Sequence, residues 1–263
     1  MAASFNDELR LAHIMADDAD SLGMSRFRAQ DLRFTAKPDN TPVTEADTAI
    51  EESLRRTLSR ARPRDGIVGE EFGATGESDR RWIIDPIDAT KNYLRGVPVW
   101  ATLIALEADG EIVASVVSAP ALGRRWWASK GAGAFTGRSI MNATQMQVSK
   151  VAEVTDASLS YSSLDGWVDS SRGQGFVNLM RDCWRTRAFG DFWSYMLVAE
   201  GAVDIATEPD LALHDMAALD VIVREAGGRF TNLDGVDGVN GPGALATNGL
   251  LHEAVLDRYL GQR

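Results

Sequence analysis

Apolar residues Leu9, Ala12, Ala16, Ala19 and Leu22 recur three or four positions apart between residues 7 and 22, which predicts an amphipathic helix. A second helix is predicted from Thr44, with Asp47 three residues on and Ile50, Leu54 and Leu58 as its apolar stripe. After Pro63 the pattern changes to short apolar runs at Gly66–Gly69, Trp82–Ile84, Val99–Leu106 and Ile112–Ser118. The last two are joined by Asp109-Gly110, a hairpin dipeptide, so this region reads as an antiparallel sheet. From about Ala157 strand and helix signals alternate: strand Ser158–Ser160, helix Phe176–Cys183, strand Trp184–Arg187, helix Asp191–Glu200, strand Val203–Ala206. A helix His214–Ala226 then closes on Gly227-Gly228 and feeds a strand Arg229–Asn232. The expected fold class is α/β, with an α+β N-terminal lobe (residues 1–150) and an α/β C-terminal lobe (residues 151–263).

With 263 residues, 44% of them hydrophobic, the chain can bury a full core, which excludes intrinsic disorder. The 38 acidic against 27 basic residues leave a net charge of −11, unsuited to a nucleic-acid backbone and better suited to metal cations or cationic ligands. The single cysteine, Cys183, has no internal disulfide partner and reads as a small buried hydrophobe. The acidic N-terminus is unlike an export signal and no apolar run reaches ~18 residues, so a cytoplasmic protein without a membrane span is expected.

Against that acidic background, one arrangement stands out. Trp82-Ile83-Ile84-Asp85-Pro86-Ile87-Asp88 puts two carboxylates three residues apart at the end of an apolar strand, with Pro86 stiffening the backbone between them. Gly69-Glu70-Glu71 adds acids after another buried strand, and Asp215 stands at a predicted helix start. Each acid alone could be a solvated loop residue or a helix cap; their joint spacing favours a shared site. Oxygen ligands without His or Cys at ligand spacing suit Mg²⁺ better than zinc. Two or three such cations could polarise a phosphoryl group and acidify an attacking water, with Glu70 orienting that water. Ala89, Thr90, Lys91 and Asn92 look like a first helical turn, whose free N–H groups would hold a phosphate beside the metals.

Gly69-Glu70-Glu71, the run from Trp82 through Asp85-Pro-Ile-Asp88-Ala-Thr90-Lys-Asn92, His214-Asp215-Met-Ala-Ala and Glu225-Ala-Gly-Gly228 resemble the inositol monophosphatase family, from about Lys37 to Gly249. The resemblance implies a layered αβαβα sandwich and a lithium-sensitive, Mg²⁺-dependent phosphatase, expected as a homodimer. It also implies cation ligation by Glu70, Asp85, the carbonyl of Ile87, Asp88 and Asp215. Asp47 and Thr90 match the pair that activates the water. Lys37, before Pro38-Asp39-Asn40-Thr41-Pro42-Val43-Thr44, matches the mobile loop that closes over the site. Two positions depart from the pattern: Ala89 replaces the usual glycine and His214 the usual tryptophan. An alanine fits only if position 89 avoids positive φ. His214 either packs as a neutral ring or adds a titratable group beside the metals.

Within the family, Arg95-Gly96-Val97-Pro98-Val99-Trp100, Ser118-Ala-Pro-Ala121 with Arg124-Arg125-Trp126-Trp127, and Gly190-Asp191-Phe192 are similar to histidinol-phosphate phosphatases of the actinobacterial type. The expected substrate is therefore L-histidinol phosphate, a small cationic phosphate ester. Asp191 and Glu208 match positions facing the leaving alcohol, where two carboxylates favour an ammonium or imidazolium over neutral hydroxyls. Asp88, Asn92 and Arg187 are the other residues expected to face the ester. Asp191 could instead cap the helix that follows it. The alternatives are an inositol-1-monophosphatase or broad small-alcohol phosphatase, and an inactive metal- or ligand-binding member. Arg124-Arg125-Trp126-Trp127 is read as a sheet strand with packed tryptophans rather than a nucleic-acid patch.

Overall fold

The structure is a computed structural model that describes residues 5–37 and 41–261. Helices α1 (Asn6–Arg26) and α2 (Glu45–Ala61) form where the apolar spacing predicts them, and both bury that stripe: Ala12, Ala16 and Ala19 on α1, Ile50, Leu54 and Leu58 on α2. Thr44 opens α2 with a reciprocal cap: its hydroxyl accepts from the Ala46 and Asp47 N–H groups while its own N–H donates to the Asp47 carboxylate. Strands β1 (Phe34–Ala36) and β2 (Pro42–Thr44) pair as a short ribbon before α2.

The main sheet holds β3 (Gly66–Gly69), β4 (Gly73–Thr75), β5 (Arg80–Asp88), β6 (Ala101–Ala108), β7 (Glu111–Ala119), β8 (Arg124–Ser129), β9 (Gly133–Gly137) and β10 (Ala143–Gln145). Its spatial order is 10-9-8-7-6-5-3-4. The sheet is not wholly antiparallel: β3 runs parallel to β5, because the chain crosses through β4 before returning. The β6–β7 hairpin turns on Asp109 and Gly110 at φ 53° and 79°, the positive pair that a two-residue turn of this twist requires. Trp126 and Trp127 on β8 are buried on opposite faces, and Arg125, which precedes them, is buried against Ser118 and Asp20.

The second sheet has order 12-11-13-15-14 and comprises β11 (Ser158–Ser160), β12 (Arg185–Arg187), β13 (Ile205–Glu208), β14 (Arg229–Thr231) and β15 (Ala244–Thr247). β13 begins two residues later than the hydrophobic run suggests, which puts Glu208 at its end. Strand alternation sorts the core into layers. Trp82, Ile84, Ile104 and Leu106 face α1 and α2. Ile83, Leu103, Ala105 and Val117 face the central helices α6 (Asp191–Ala199) and α7 (Leu213–Glu225), which share that core with Ala206, Phe230 and Ala246 of the second sheet. The far face of the second sheet, Leu159, Ile205 and Leu245, packs on Trp167 of α4 (Asp165–Val168), Phe176 and Leu179 of α5 (Gly173–Asp182) and Val255 of α8 (His252–Val255). This is the αβαβα sandwich. Cys183 lies buried in that outer core, where burial pushes its thiol up to about 12. Among the described residues, no helix is long and apolar enough to cross a membrane.

Helix α3 (Thr90–Leu94) is five residues long and is pinned to α1 by the Tyr93 hydroxyl, which donates to the Gly23 carbonyl at 2.7 Å. Ala89 before it sits at φ 66°, ψ 47°, in the left-handed region. The expectation that an alanine here avoids positive φ is therefore wrong. The chain must reverse between β5 and α3, and the turn holds residue 89 there in spite of its Cβ. The left-handed conformation costs an L-residue about 1–2 kcal/mol, while glycine loses about 0.4–1 kcal/mol more entropy on folding. Ala89→Gly should accordingly raise stability by up to about 1 kcal/mol in denaturant titrations, and a clear loss of stability would show that the methyl is stabilising the turn.

Candidate active site

Asp85 and Asp88 are an odd number of residues apart, so a regular strand would aim them at opposite faces. The register prevents that: Asp85 pairs with Leu103 and Asp88 with Ala101, so β5 spends three residues where β6 spends two. This bulge turns both carboxylates to one side, and the Thr102 hydroxyl holds the displaced segment by donating to the Pro86 carbonyl at 2.8 Å. Asp215 comes to the same place from the first turn of α7, where its Oδ2 accepts the Ala212 N–H at 2.8 Å. One carboxylate oxygen from each of Asp85, Asp88 and Asp215 lies within 4.8 Å of the others. Asp88 Oδ2 accepts the Phe192 N–H at 2.9 Å, so the positive end of α6 also points at the cluster.

Glu70 follows β3 and lies beside Asp85, outside the group of three oxygens that converge within 4.8 Å. Its Oε1 takes the Lys37 ammonium at 2.6 Å, and the same ammonium reaches Glu71 Oε1 at 2.8 Å. Burial lowers the Lys37 pKa, but these two carboxylates outweigh it and the net shift is upward. Pro38, Asp39 and Asn40, the rest of the expected loop tip, lie outside the described residues. Asp47 is fully buried, with Oδ2 bonded to the Thr44 N–H and hydroxyl at 2.8 and 2.5 Å. Burial pushes its carboxyl up to about 7. Thr90 donates its hydroxyl to the Ile87 carbonyl at 3.0 Å, which leaves that carbonyl a second lone pair.

A second acidic pair adjoins the first. The Glu208 Oε1 accepts the Ser162 N–H at 2.6 Å, and the Ser162 hydroxyl accepts the Asp191 N–H at 2.7 Å. Asn92 Nδ2 bridges the Val99 carbonyl at 2.9 Å and Asp191 Oδ2 at 3.4 Å. Asp191 makes no cap with its side chain, because Gly190 occupies the cap position of α6. His214 lies against the cluster, Nε2 at 3.5 Å from Asp215 Oδ1, rather than packing only as a ring. Arg187 is exposed on the edge strand β12, and its guanidinium donates to the Thr186 carbonyl instead of joining either acidic group.

The electrostatics of this arrangement call for a cation. Burial raises the Asp85 carboxyl well above its ordinary value, and Glu70, Asp88 and Asp215 push it further. Asp88 is raised in the same way, by burial and then by Asp191 and Asp215. Burial, reinforced by Asp191, lifts Glu208 to about 8. Two buried oxygens, Asp85 Oδ1 and Asp47 Oδ1, have no hydrogen-bond partner among the described residues, an expensive condition that a hard cation with its waters would relieve. The all-oxygen donor set fits such an ion. Behind the cluster the Tyr195 hydroxyl is also buried with no partner among the described residues. Ser162 and Tyr195 are not among the candidates drawn from sequence, and Glu71 is grouped there with the acids but given no role of its own. Ser162 and Tyr195 lie in no informative spacing, whereas Glu71 is adjacent to Glu70 and could have been paired with Lys37 on charge.

The family model for the inositol monophosphatase family matches residues 11–260. The chain is 59% identical over 261 residues to a histidinol-phosphatase of Streptomyces coelicolor, covering 98% of each protein. It is 58% identical over 254 residues to a histidinol-phosphatase of Mycobacterium tuberculosis, covering 96% of this chain and 98% of that one. An inositol monophosphatase from Zymomonas mobilis superposes with a TM-score of 0.85 at 30% identity, covering 97% of this chain and 98% of the other. With its carboxylates gathered at the ends of strands and helices in this layered sandwich, and with likeness of this extent, the chain belongs to the inositol monophosphatase family.

Proposed function

We propose that this protein is a Mg²⁺-dependent phosphomonoesterase that hydrolyses L-histidinol phosphate to L-histidinol and phosphate. The observation that carries the reading is the second acidic pair, Asp191 and Glu208, set beside the cluster of Asp85, Asp88 and Asp215. A phosphate would be held at the cluster and a cationic alcohol at the pair. The two relatives at 59% and 58% identity, each a histidinol-phosphatase, support the same substrate.

In this reading Glu70, Asp85, the Ile87 carbonyl, Asp88 and Asp215 would hold two or three Mg²⁺ ions. When bound, Mg²⁺ offsets charge on the phosphoryl oxygens and makes a water acidic enough to attack. Asp47 and Thr90 would hold and orient the attacking water with Glu70, and the N–H groups of Ala89 and Thr90 would be the donors to the phosphate. Lys37, bonded to Glu70 and Glu71, closes the site from its loop. Asn92 steadies Asp191, and Asp191 with Glu208 reads the ammonium or imidazolium. Arg187 would have to swing inward from the surface to join them. We also expect a homodimer, on the strength of the family resemblance, and a place in the cytoplasm, which suits a lone unpaired cysteine.

Phosphate release should strongly favour L-histidinol phosphate over myo-inositol-1-phosphate, and Asp88→Asn should lower turnover of either by ~100-fold or more. Preference for the inositol ester would overturn the substrate, and tight cation binding without turnover of any ester would instead mark an inactive member. Asp191→Asn should raise KM for L-histidinol phosphate by ~10-fold, about 1.4 kcal/mol, and change KM for the inositol ester much less. Equal rises for the two esters would remove Asp191 from substrate recognition.

Metal-free protein should also lose stability as pH rises. Asp47 and Glu208 are protonated in the fold up to about 7 and about 8, well above their unfolded range, so ionising them penalises the folded state progressively from the ordinary carboxylate range upward. The thermal midpoint in EDTA should fall between about pH 5 and 8.5, and Mg²⁺ should flatten much of that fall. A level profile in EDTA would show that these carboxyls are not held protonated.

A further inference from the structure

We infer that Glu51, seated against Gly69, is a positioning residue that aims Glu70 at the cation site; the inference rests on the cation reading above. Glu51 lies one helical turn beyond Asp47 on the same face of α2 and is fully buried. Its Oε2 accepts the Glu71 N–H at 2.7 Å, and its Oε1 accepts the Phe72 N–H at 3.2 Å. Arg55, one turn further on, donates Nε to the same Oε1 at 2.7 Å and spreads its fork over the Thr75 hydroxyl at 3.0 Å and the Gly73 carbonyl.

The fit at Gly69 is equally specific. A Cβ placed there would stand 1.9 Å from Glu51 Oε1, so the carboxylate occupies the space that any other residue would fill. Gly69 precedes Glu70 and Glu71 follows it. Glu51 therefore touches the backbone on one side of Glu70 and bonds it on the other, while the Glu70 N–H itself donates to the Ile84 carbonyl of β5 at 3.2 Å. The Glu70 Cα is held from three directions, leaving only the side chain to choose its place beside Asp85. Both Glu51 oxygens are committed to the turn and to Arg55, so this carboxylate acts through Glu70 and not on substrate.

The test is Mn²⁺ binding, followed by electron paramagnetic resonance on the folded, unliganded protein, for Glu51→Gln. The amide keeps the shape but turns an NH₂ group toward a backbone N–H or Arg55. The Mn²⁺ Kd should rise by ~10-fold or more, and the Mg²⁺ concentration for half-maximal phosphate release should rise with it. KM for L-histidinol phosphate at saturating Mg²⁺ should stay within about twofold. Gly69→Ala, which displaces the same carboxylate from the other side, should reproduce the loss and serves as the test if Glu51→Gln does not fold. Leu54→Ala on the same helix, a buried apolar truncation, should lower the thermal midpoint yet leave the Mn²⁺ Kd unchanged. Unaltered Mn²⁺ affinity in Glu51→Gln, or an equal loss in Leu54→Ala, would overturn the inference. Absence of Mn²⁺ binding by the unsubstituted protein would overturn the cation reading instead.

Discussion

Mutual repulsion among carboxylates withdrawn from water is the constraint on which the rest of this structure turns. Asp85, Asp88 and Asp215 bring oxygens within 4.8 Å of one another, with Glu70 beside them, and none of these groups chose its neighbours for stability. A fold that holds like charges together must supply rigidity from elsewhere and a cation to offset them. The rigidity comes from strand and helix ends: β3 and β5 from the main sheet, α7 from the central layer, and the N-terminus of α6 donating to Asp88. Within the protein itself, the Lys37 ammonium offsets part of the charge at Glu70 and Glu71.

The layering explains why the site forms where it does. The helices α6 and α7 lie between the two sheets, so their first turns and the ends of β3, β5 and β13 can share one opening. Acidic residues at a helix start are favourable for the helix, and both Asp191 and Asp215 lie in first turns. Local strain collects at the same place. Ala89 and Asp191 are two of the four non-glycine residues at positive φ among the described residues, and both adjoin the cluster.

The site also divides by chemistry. Around Asp85 and Asp88 the oxygens are left bare or lightly bonded, as suits ligands for a hard ion. Around Asp191 and Glu208 the oxygens are tied to Ser162 and Asn92, which fixes their orientation. Under the reading proposed above, the first end would take the phosphate through its cations and the second the cationic part of the ester.

Much of this was legible in the chain itself. The helical stripe of α2 with its Thr44–Asp47 cap, the Asp109-Gly110 hairpin, the glycine pair after α7 and the acids at element ends are short-range patterns, and short-range patterns survive in sequence because a few adjacent residues decide them. Ala89 at positive φ was set by the chain reversal between β5 and α3, the bulge that turns Asp85 and Asp88 to one side by the register of β5 on β6, and the parallel pairing of β3 with β5 by the passage through β4. Ser162 between Asp191 and Glu208, the exposed position of Arg187, and Glu51 filling the space beside Gly69 depend on contacts between residues from 18 to 46 positions apart or on which edge of a sheet a strand takes. The sequence alone therefore determined which chemistry the protein carries, because residue type and local spacing encode it. The tertiary structure alone decided which oxygens meet and which groups hold them in place, because only packing brings distant segments to one point.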